Sequence, residues 1–258
     1  MAEHGKLLET IEDCAIRGEL IAVVRTLDPV AGKSATVTVS HGEVLPPLAD
    51  RKLTDQVLAA VDSLRARGGS ADLVEALNEQ GSPITLAIEI IKPKLELVIF
   101  GAGHVGQAVA SIGALMGYDV RVIDDREEFA SRSRLPDPRI GLLVSDYASA
   151  AGKVTISSGT VVVIVTRGHQ YDELCLKSVV GSRAAYIGMI GSRRRVLSVF
   201  KKLAGEGFSE RDLQRVHAPI GLRIGARSPQ EIAVSILAEI IAQVNNPDRE
   251  HKGERNGI

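Results

Sequence analysis

The chain has 258 residues, of which 45% are apolar, and its 31 basic and 32 acidic side chains leave a formal net charge of −1. This length suits one large domain or two small ones, each with a proper hydrophobic core. The balanced charge argues against nucleic acid as the primary partner, and an aromatic content of only 3%, with no Trp, removes the usual base-stacking surface as well.

Targeting and redox features predict a cytoplasmic protein. Residues 1–12 carry acidic side chains and no apolar core, and the longest uncharged apolar segment, at 154–166, is too short to span a bilayer. We therefore expect neither a signal peptide nor a membrane partner. Cys14 and Cys175 lie far apart and lack metal-ligand spacing, which indicates a reducing compartment and buried apolar thiols rather than nucleophiles.

The first part of the chain predicts a small α+β domain over residues 1–92. Its predicted elements, in order, are a helix at 7–17, strands at 20–26 and 35–40, a helix at 53–64 and a strand at 82–91. The polar, proline-stiffened segment Lys92-Pro93-Lys94 is typical of a linker, so we place the domain boundary there.

Residues 93–245 predict a Rossmann-like α/β domain, in which strands and helices alternate. Several of its strands are continuous runs of Val, Ile and Leu, which is typical of a parallel sheet with helices on both faces, a doubly wound fold. The predicted strands are 97–100, 119–124, 140–144, 160–166 and 184–190. A last helix begins at Ser228-Pro229-Gln230-Glu231, where Glu231 suits a capping box better than a reactive site. Residues 246–258 are predicted to be a disordered tail.

A Gly-x-Gly-x-x-Gly motif follows the first of these strands and opens a helical pattern. Gly101 allows a sharp turn, Gly103 lets the backbone approach a phosphate, and Gly106 lets the helix lie close to the strand. The first-turn N–H groups, beginning near His104, then face an anion. The motif therefore predicts a nucleotide-like or otherwise phosphorylated ligand.

Two carboxylates end the next strand. Asp124 and Asp125 stand where a Rossmann domain accepts hydrogen bonds from ribose hydroxyl groups, and they would repel a 2′-phosphate. They favour NAD, or another ligand with an unphosphorylated ribose, over NADP.

Other unusual clusters fall at the carboxyl ends of the later strands, the edge at which parallel sheets bind ligands. The candidate binding residues there are Arg167, His169, Gly188, Gly191, Ser192, Arg193, Arg194 and His217. Cations in the first turn of a helix are unfavourable unless an anion binds, so the arginines predict either an anion clamp or side chains that simply point into water. Three histidines, at 104, 169 and 217, could converge for proton transfer, ligand binding or turn capping, and their spacing does not predict a metal site.

Six blocks of this chain resemble the XdhC/CoxI family of accessory proteins for xanthine dehydrogenase and related molybdenum hydroxylases. The blocks are residues 98–106, 124–126, 166–169, 187–194, 216–222 and 229–233. The resemblance implies a non-catalytic cytosolic factor that binds molybdenum cofactor (molybdopterin), protects it during sulfuration by a cysteine desulfurase, and delivers it to the apo-hydroxylase. It also implies a homodimer.

The first domain departs from the family pattern. Where the family has a glycine-rich stretch leading to a cysteine, residues 42–49 read Gly-Glu-Val-Leu-Pro-Pro-Leu-Ala, with no cysteine. Two other functions stay open from the residues themselves: an NAD-dependent oxidoreductase, and a nucleotide-sensing regulatory module without chemistry.

Overall fold

The structure is a computed structural model that describes residues 11, 14, 21–28, 33–40, 42–91 and 94–245. The chain divides into two compact units, Met1–Pro93 and Lys94–Ile258. The helix expected at 7–17 lies outside the described residues apart from Ile11 and Cys14, and the tail expected beyond residue 245 lies outside them entirely. No helix in the described part of the chain is long and apolar enough to cross a membrane.

The first unit is an antiparallel sheet with one helix on it. Its elements are β1 (Ile21–Asp28), β2 (Lys33–Ser40), β3 (Glu43–Leu45), α1 (Arg51–Ala66), β4 (Ala71–Leu77) and β5 (Pro83–Ile91). The strand order is β3-β2-β1-β5-β4, with Val24 of β1 opposite both Val37 and Ile88. Helix α1 is amphipathic and buries Val57 and Val61 against this sheet.

The second unit alternates strands and helices. Its elements are β6 (Glu96–Phe100), α2 (His104–Leu115), β7 (Asp119–Asp124), β8 (Gly141–Val144), α3 (Tyr147–Ala150), a 3-10 turn (Ala151–Lys153), β9 (Thr160–Ile164), α4 (His169–Val179), β10 (Tyr186–Met189), α5 (Arg193–Gly205), α6 (Glu210–Gln214), β11 (Val216–His217) and α7 (Pro229–Asn245).

The six strands of this unit form one parallel sheet, in the order β11-β10-β9-β6-β7-β8. Phe100, the last residue of β6, lies between Ile123 and Ile164. The chain runs outward from β6 to β8, then returns to β9 and runs outward in the other direction. The order therefore reverses between β6 and β9, and this is where open α/β sheets bind their ligands.

Helices cover both faces of the parallel sheet, which confirms the predicted doubly wound fold. One core packs β-strand residues such as Phe100 and Ile164 against α4 and α5, and the other packs Ile99 and Val163 against α2 and α7. All five residues of β9 are buried, as expected for a strand covered on both sides.

The predicted start of the last helix is also confirmed. The Ser228 hydroxyl accepts a hydrogen bond from the Glu231 backbone N–H, and the Glu231 carboxylate accepts from the N–H groups of Arg227 and Ser228. Glu231 is therefore occupied by a capping box.

Candidate functional site

The three glycines after β6 have different physical roles. Gly101 has φ +111°, and a side chain there would lie 2.4 Å from the carbonyl oxygen of Val165. A Cβ at Gly106 would lie 1.9 Å from the Gly101 oxygen, whereas nothing lies within 4 Å of the Cβ position at Gly103. Packing therefore requires glycine at positions 101 and 106. At Gly103 a side chain would meet no neighbouring atom, so the glycine turn is open on that side.

Helix α2 starts directly after these glycines. Its first turn has no side-chain cap and no acidic residue, and it begins with His104. Gly103 is the N-cap residue and has no side chain with which to cap the helix. Gln107 reinforces the turn, because its backbone N–H donates to the Gly103 oxygen and its side-chain amide donates to the Ala102 oxygen at 2.7 Å. The first-turn N–H groups of α2 have no side-chain cap, so they can donate hydrogen bonds to a bound anion.

The carboxylate of Asp124, for which the sequence predicts a ribose contact, is occupied by contacts within the protein. The side chain is fully buried, and it accepts hydrogen bonds from the Ala102 N–H at 2.8 Å and from the Arg126 guanidinium at 2.9 and 3.1 Å. Burial alone would raise the pKa of Asp124, but the hydrogen bonds from Arg126 and Ala102 outweigh it and hold the pKa below its ordinary value. Asp124 is therefore ionised, and its hydrogen bond from Ala102 connects the end of β7 to the glycine turn.

Asp125 is the carboxylate that remains near the ligand edge. Its Oδ2 lies 2.7 Å from Nη2 of Arg167, and its Oδ1 lies 3.7 Å from Nε of Arg126. Asp125 follows β7 and Arg167 follows β9, the two strands that flank β6. We call this Asp125–Arg167 ion pair the clasp, because it spans the carboxyl end of β6.

Two tyrosines that the sequence did not indicate support the clasp. The Arg167 guanidinium lies 4.8 Å from the centre of the Tyr171 ring and donates to its hydroxyl at 3.1 Å. Tyr171 in turn packs on Tyr147, with ring centres 5.4 Å apart. Burial and the neighbouring Asp124 carboxylate raise the pKa of Tyr147, so this phenol stays protonated. The chain has only four tyrosines. The position of these two after predicted strands is the signal by which the sequence could have identified them as site residues.

The structure does not bring the three histidines together through described contacts. His104 is exposed at the start of α2, and the side chain of His169 lies outside the described residues, although its backbone begins α4. His217 belongs to β11, where its ring stacks on Tyr186 at 4.6 Å and its Nδ1 lies 3.7 Å from the Glu239 carboxylate. Among the described residues no His, Cys, Asp or Glu cluster could hold a metal ion.

The candidate residues at β10 and the start of α5 have two different roles. The structure places Gly188 inside β10, where a Cβ would lie 2.4 Å from Ile220, so this glycine accommodates Ile220. Beyond Gly191, the Ser192 hydroxyl caps α5 by accepting from the Arg195 N–H. Arg193 and Arg194 are exposed in the first turn of that helix.

A groove of about 550 Å³ lies beside this basic helix start. It is lined by residues of α4 and α5, among them Ser192, Arg194 and Arg195. Lys202 and Glu173 also line it and form an ion pair at 2.6 Å. The groove has room for a ligand group next to the cationic turn.

Comparisons with known proteins point to one family. Residues 97–240 match the XdhC Rossmann domain family. The chain is 32% identical over 207 residues to an uncharacterized protein, YqeB, of Escherichia coli K12 (77% of this chain, 37% of YqeB). It is 30% identical over 154 residues to a protein of Bacillus subtilis 168 named as a probable xanthine dehydrogenase subunit (60% of this chain, 44% of the relative).

A third relative is the molybdenum cofactor insertion chaperone PaoD of Escherichia coli K12, at 25% identity over 149 residues (58% of this chain, 40% of PaoD). The chain thus spans less than half the length of each of these relatives. A crystal structure described as a xanthine dehydrogenase from Bacillus halodurans superposes with a TM-score of 0.65 at 20% identity, over 97% of this chain and 70% of that one. At this identity the superposition shows a shared fold.

Proposed function

Since this chain belongs to the XdhC Rossmann domain family, we propose that it is an accessory factor that binds molybdenum cofactor and delivers it to an apo molybdenum hydroxylase of the xanthine dehydrogenase type. The observation that carries the proposal is the family match over residues 97–240, which contains the glycine turn with its open side at Gly103. The names of two relatives supply the class of cargo and recipient.

The residues at the ligand edge fit the chemistry of that cargo, a pterin that carries a phosphate. The open side of Gly103 and the free first-turn amides of α2 suit a phosphate, and Arg167 offers a guanidinium beside them. We propose that Gly101, Gly103 and Gly106 form the phosphate turn, with His104 at its rim.

The start of α5 is proposed as a second anion contact for the extended part of the cargo. Arg193→Ala combined with Arg194→Ala is expected to weaken binding of molybdopterin about tenfold, because two cations at a helix start are lost. Arg227→Ala, which removes an exposed arginine just before α7, is the matched control and should leave affinity unchanged. Equal affinities for the double variant and the wild type, measured by titration calorimetry, would remove this contact.

Sulfur is proposed to reach the bound cargo directly from a cysteine desulfurase, without passing through a thiol of this chain. Cys14 and Cys175 are both buried. Burial, and after it the Asp172 carboxylate, raises the pKa of Cys175, so its reactive thiolate is suppressed.

The thiol of Cys175 is expected to be unreactive in the folded protein. Alkylation of Cys175 by iodoacetamide, followed by peptide mass spectrometry, is expected to be at least about 100-fold slower in native protein than after unfolding in guanidinium chloride. Similar rates in the two states would show that Cys175 is accessible and would reopen a sulfur-carrier role.

We also propose that the protein is a homodimer that pairs through α2 and α7. These helices pack side by side on one face of the parallel sheet. The outer face of α7 carries Val234, Ala238 and Ile241 at coiled-coil spacing, and Leu115 at the end of α2 is 79% exposed.

The face formed by α2 and α7 is uncharged, which suits a second copy of itself. Neither helix contains Lys or Arg, and of the two acids in α7, Glu231 caps the helix and Glu239 is buried. Identical uncharged patches can meet without like-charge repulsion. Helix α7 is about 25 Å long and two packed helices are about 20 Å wide, a footprint comparable to one partner's share of a small specific interface.

Val234→Glu combined with Ile241→Glu is expected to raise the dimer dissociation constant at least about 100-fold, because four carboxylates would be brought into one apolar interface. Leu197→Glu, at an apolar residue on α5 that is more exposed than Val234 or Ile241, is the control and should stay dimeric. Sedimentation velocity measures both. A monomeric wild type, or a double variant that still dimerises, would contradict this interface.

Delivery of the cargo tests the proposed function as a whole. The full chain loaded with molybdenum cofactor is expected to activate an apo-hydroxylase faster than free cofactor does, and to show no turnover of its own with NADH. NADH-dependent turnover without a hydroxylase would favour the oxidoreductase alternative. The burial of Asp124 leaves Asp125 as the carboxylate at this edge that could bind an NAD ribose.

A further inference from the structure

The clasp joins the loops on both sides of the glycine turn. Asp125 directly follows Asp124, whose carboxylate binds the Ala102 N–H next to Gly103. Arg167 comes from the far side of β6 and reaches Asp125 at 2.7 Å. A cation therefore lies at the carboxyl end of β6, the strand that leads into the glycine turn, and it is already paired with a carboxylate of the protein itself.

The geometry favours replacement of the Asp125 carboxylate by another anion at the Arg167 guanidinium. The Arg167 side chain is 38% exposed, so water and a dissolved anion can reach its side of the ion pair. Asp125 is only 20% exposed, but it keeps a second cation when Arg167 leaves, because Nε of Arg126 lies 3.7 Å from its Oδ1. The guanidinium would remain in place without Asp125, because Tyr171 holds it by ring contact and by a hydrogen bond at 3.1 Å. A phosphate with two negative charges competes well for such a preplaced guanidinium.

We infer that Asp125 is an internal substitute for a ligand phosphate: a terminal phosphate or pyrophosphate that enters the glycine turn takes Arg167 from Asp125. The inference rests on the proposed function only in requiring a phosphorylated ligand. Asp125 then acts as a specificity-determining residue, since a dianionic phosphate can displace it and a singly charged or neutral ligand gains nothing by doing so.

This role and a ribose-binding role for Asp125 predict opposite effects of one substitution. If the carboxylate competes with the ligand for Arg167, Asp125→Asn strengthens binding, because the competitor is removed. If the carboxylate accepts hydrogen bonds from ribose, the same change weakens binding of a nucleotide.

The test is a calorimetric titration of the full chain with inorganic pyrophosphate, which has no ribose and no pterin. Asp125→Asn is expected to bind pyrophosphate about tenfold more tightly than the wild type, and Arg167→Gln about tenfold more weakly. Asp125→Asn in the Arg167→Gln background is expected to give almost no gain. Asp137→Asn, which removes a carboxylate paired with Arg139 in the loop after β7, is the matched control and should change nothing.

Three results would overturn the inference: no binding of pyrophosphate to any variant, weaker binding by Asp125→Asn, or an equal gain from Asp125→Asn with and without Arg167. The last would indicate general charge repulsion. Thermal melting checks that each variant is folded. A chain that follows the expected pattern with pyrophosphate yet binds no molybdopterin would refute the proposed function and leave this inference standing.

Discussion

Replacing Gly103 by valine is expected to weaken binding of molybdopterin at least about 100-fold, while the free energy of unfolding changes by less than about 1 kcal/mol. The backbone at Gly103 has φ −71° and ψ −176°, which any residue can adopt, and its side-chain position meets open space. The added isopropyl group would fill the space through which a phosphate reaches the turn. Titration calorimetry and urea denaturation of the same preparations measure the two effects.

Gly106→Ala is the informative control, because it should show the reverse pattern. Its Cβ would lie 1.9 Å from the Gly101 oxygen, and backbone atoms cannot move aside cheaply. We expect a loss of about 3 kcal/mol in the free energy of unfolding. If Gly103→Val bound molybdopterin like the wild type, the open side of the turn would not be the phosphate site.

The second large expected effect is a loss of stability when the buried Asp124 carboxylate is removed. Asp124→Ala is expected to lower the free energy of unfolding by about 3 kcal/mol at neutral pH, because the Arg126 guanidinium and the Ala102 N–H lose their buried acceptor. Asp137→Ala, at an exposed pair with Arg139, should cost far less.

The same carboxylate predicts the direction of a pH effect. The pKa of Asp124 is lower in the folded protein than in the unfolded chain, so its contribution is fully present above the unfolded pKa. That stability is lost as the pH falls through the folded pKa. Denaturation curves across the acid range should therefore converge for wild type and Asp124→Ala. Curves that stay equally far apart at low pH would show that the charge of Asp124 does not stabilise the fold.

The sequence predicted the parts of this molecule that depend on local pattern. The parallel sheet and the edge at which such sheets bind ligands could be predicted from local patterns. These patterns are the continuous apolar strands, the glycine turn and the helical period after Gly106. The capping box formed by Ser228 and Glu231 could also be predicted, because it too depends only on residues close together in the sequence.

The parts that depend on contacts across the sheet could not be predicted in this way. Asp124 and Asp125 are adjacent in sequence, yet one is buried against Ala102 and the other pairs with Arg167, 42 residues away. His217 ends β11, a two-residue strand too short to show a period, and the stacking of its ring on Tyr186 could not be predicted. Such roles are set by which strands become neighbours.

The most direct measurement is native mass spectrometry of the full chain purified without air from cells that make molybdenum cofactor. The account predicts one molybdopterin-type adduct per chain, retained by the wild type and absent from Gly103→Val. A wild-type chain that carries no adduct, although a hydroxylase in the same cells is loaded, would contradict the claim that this sheet edge holds the cofactor.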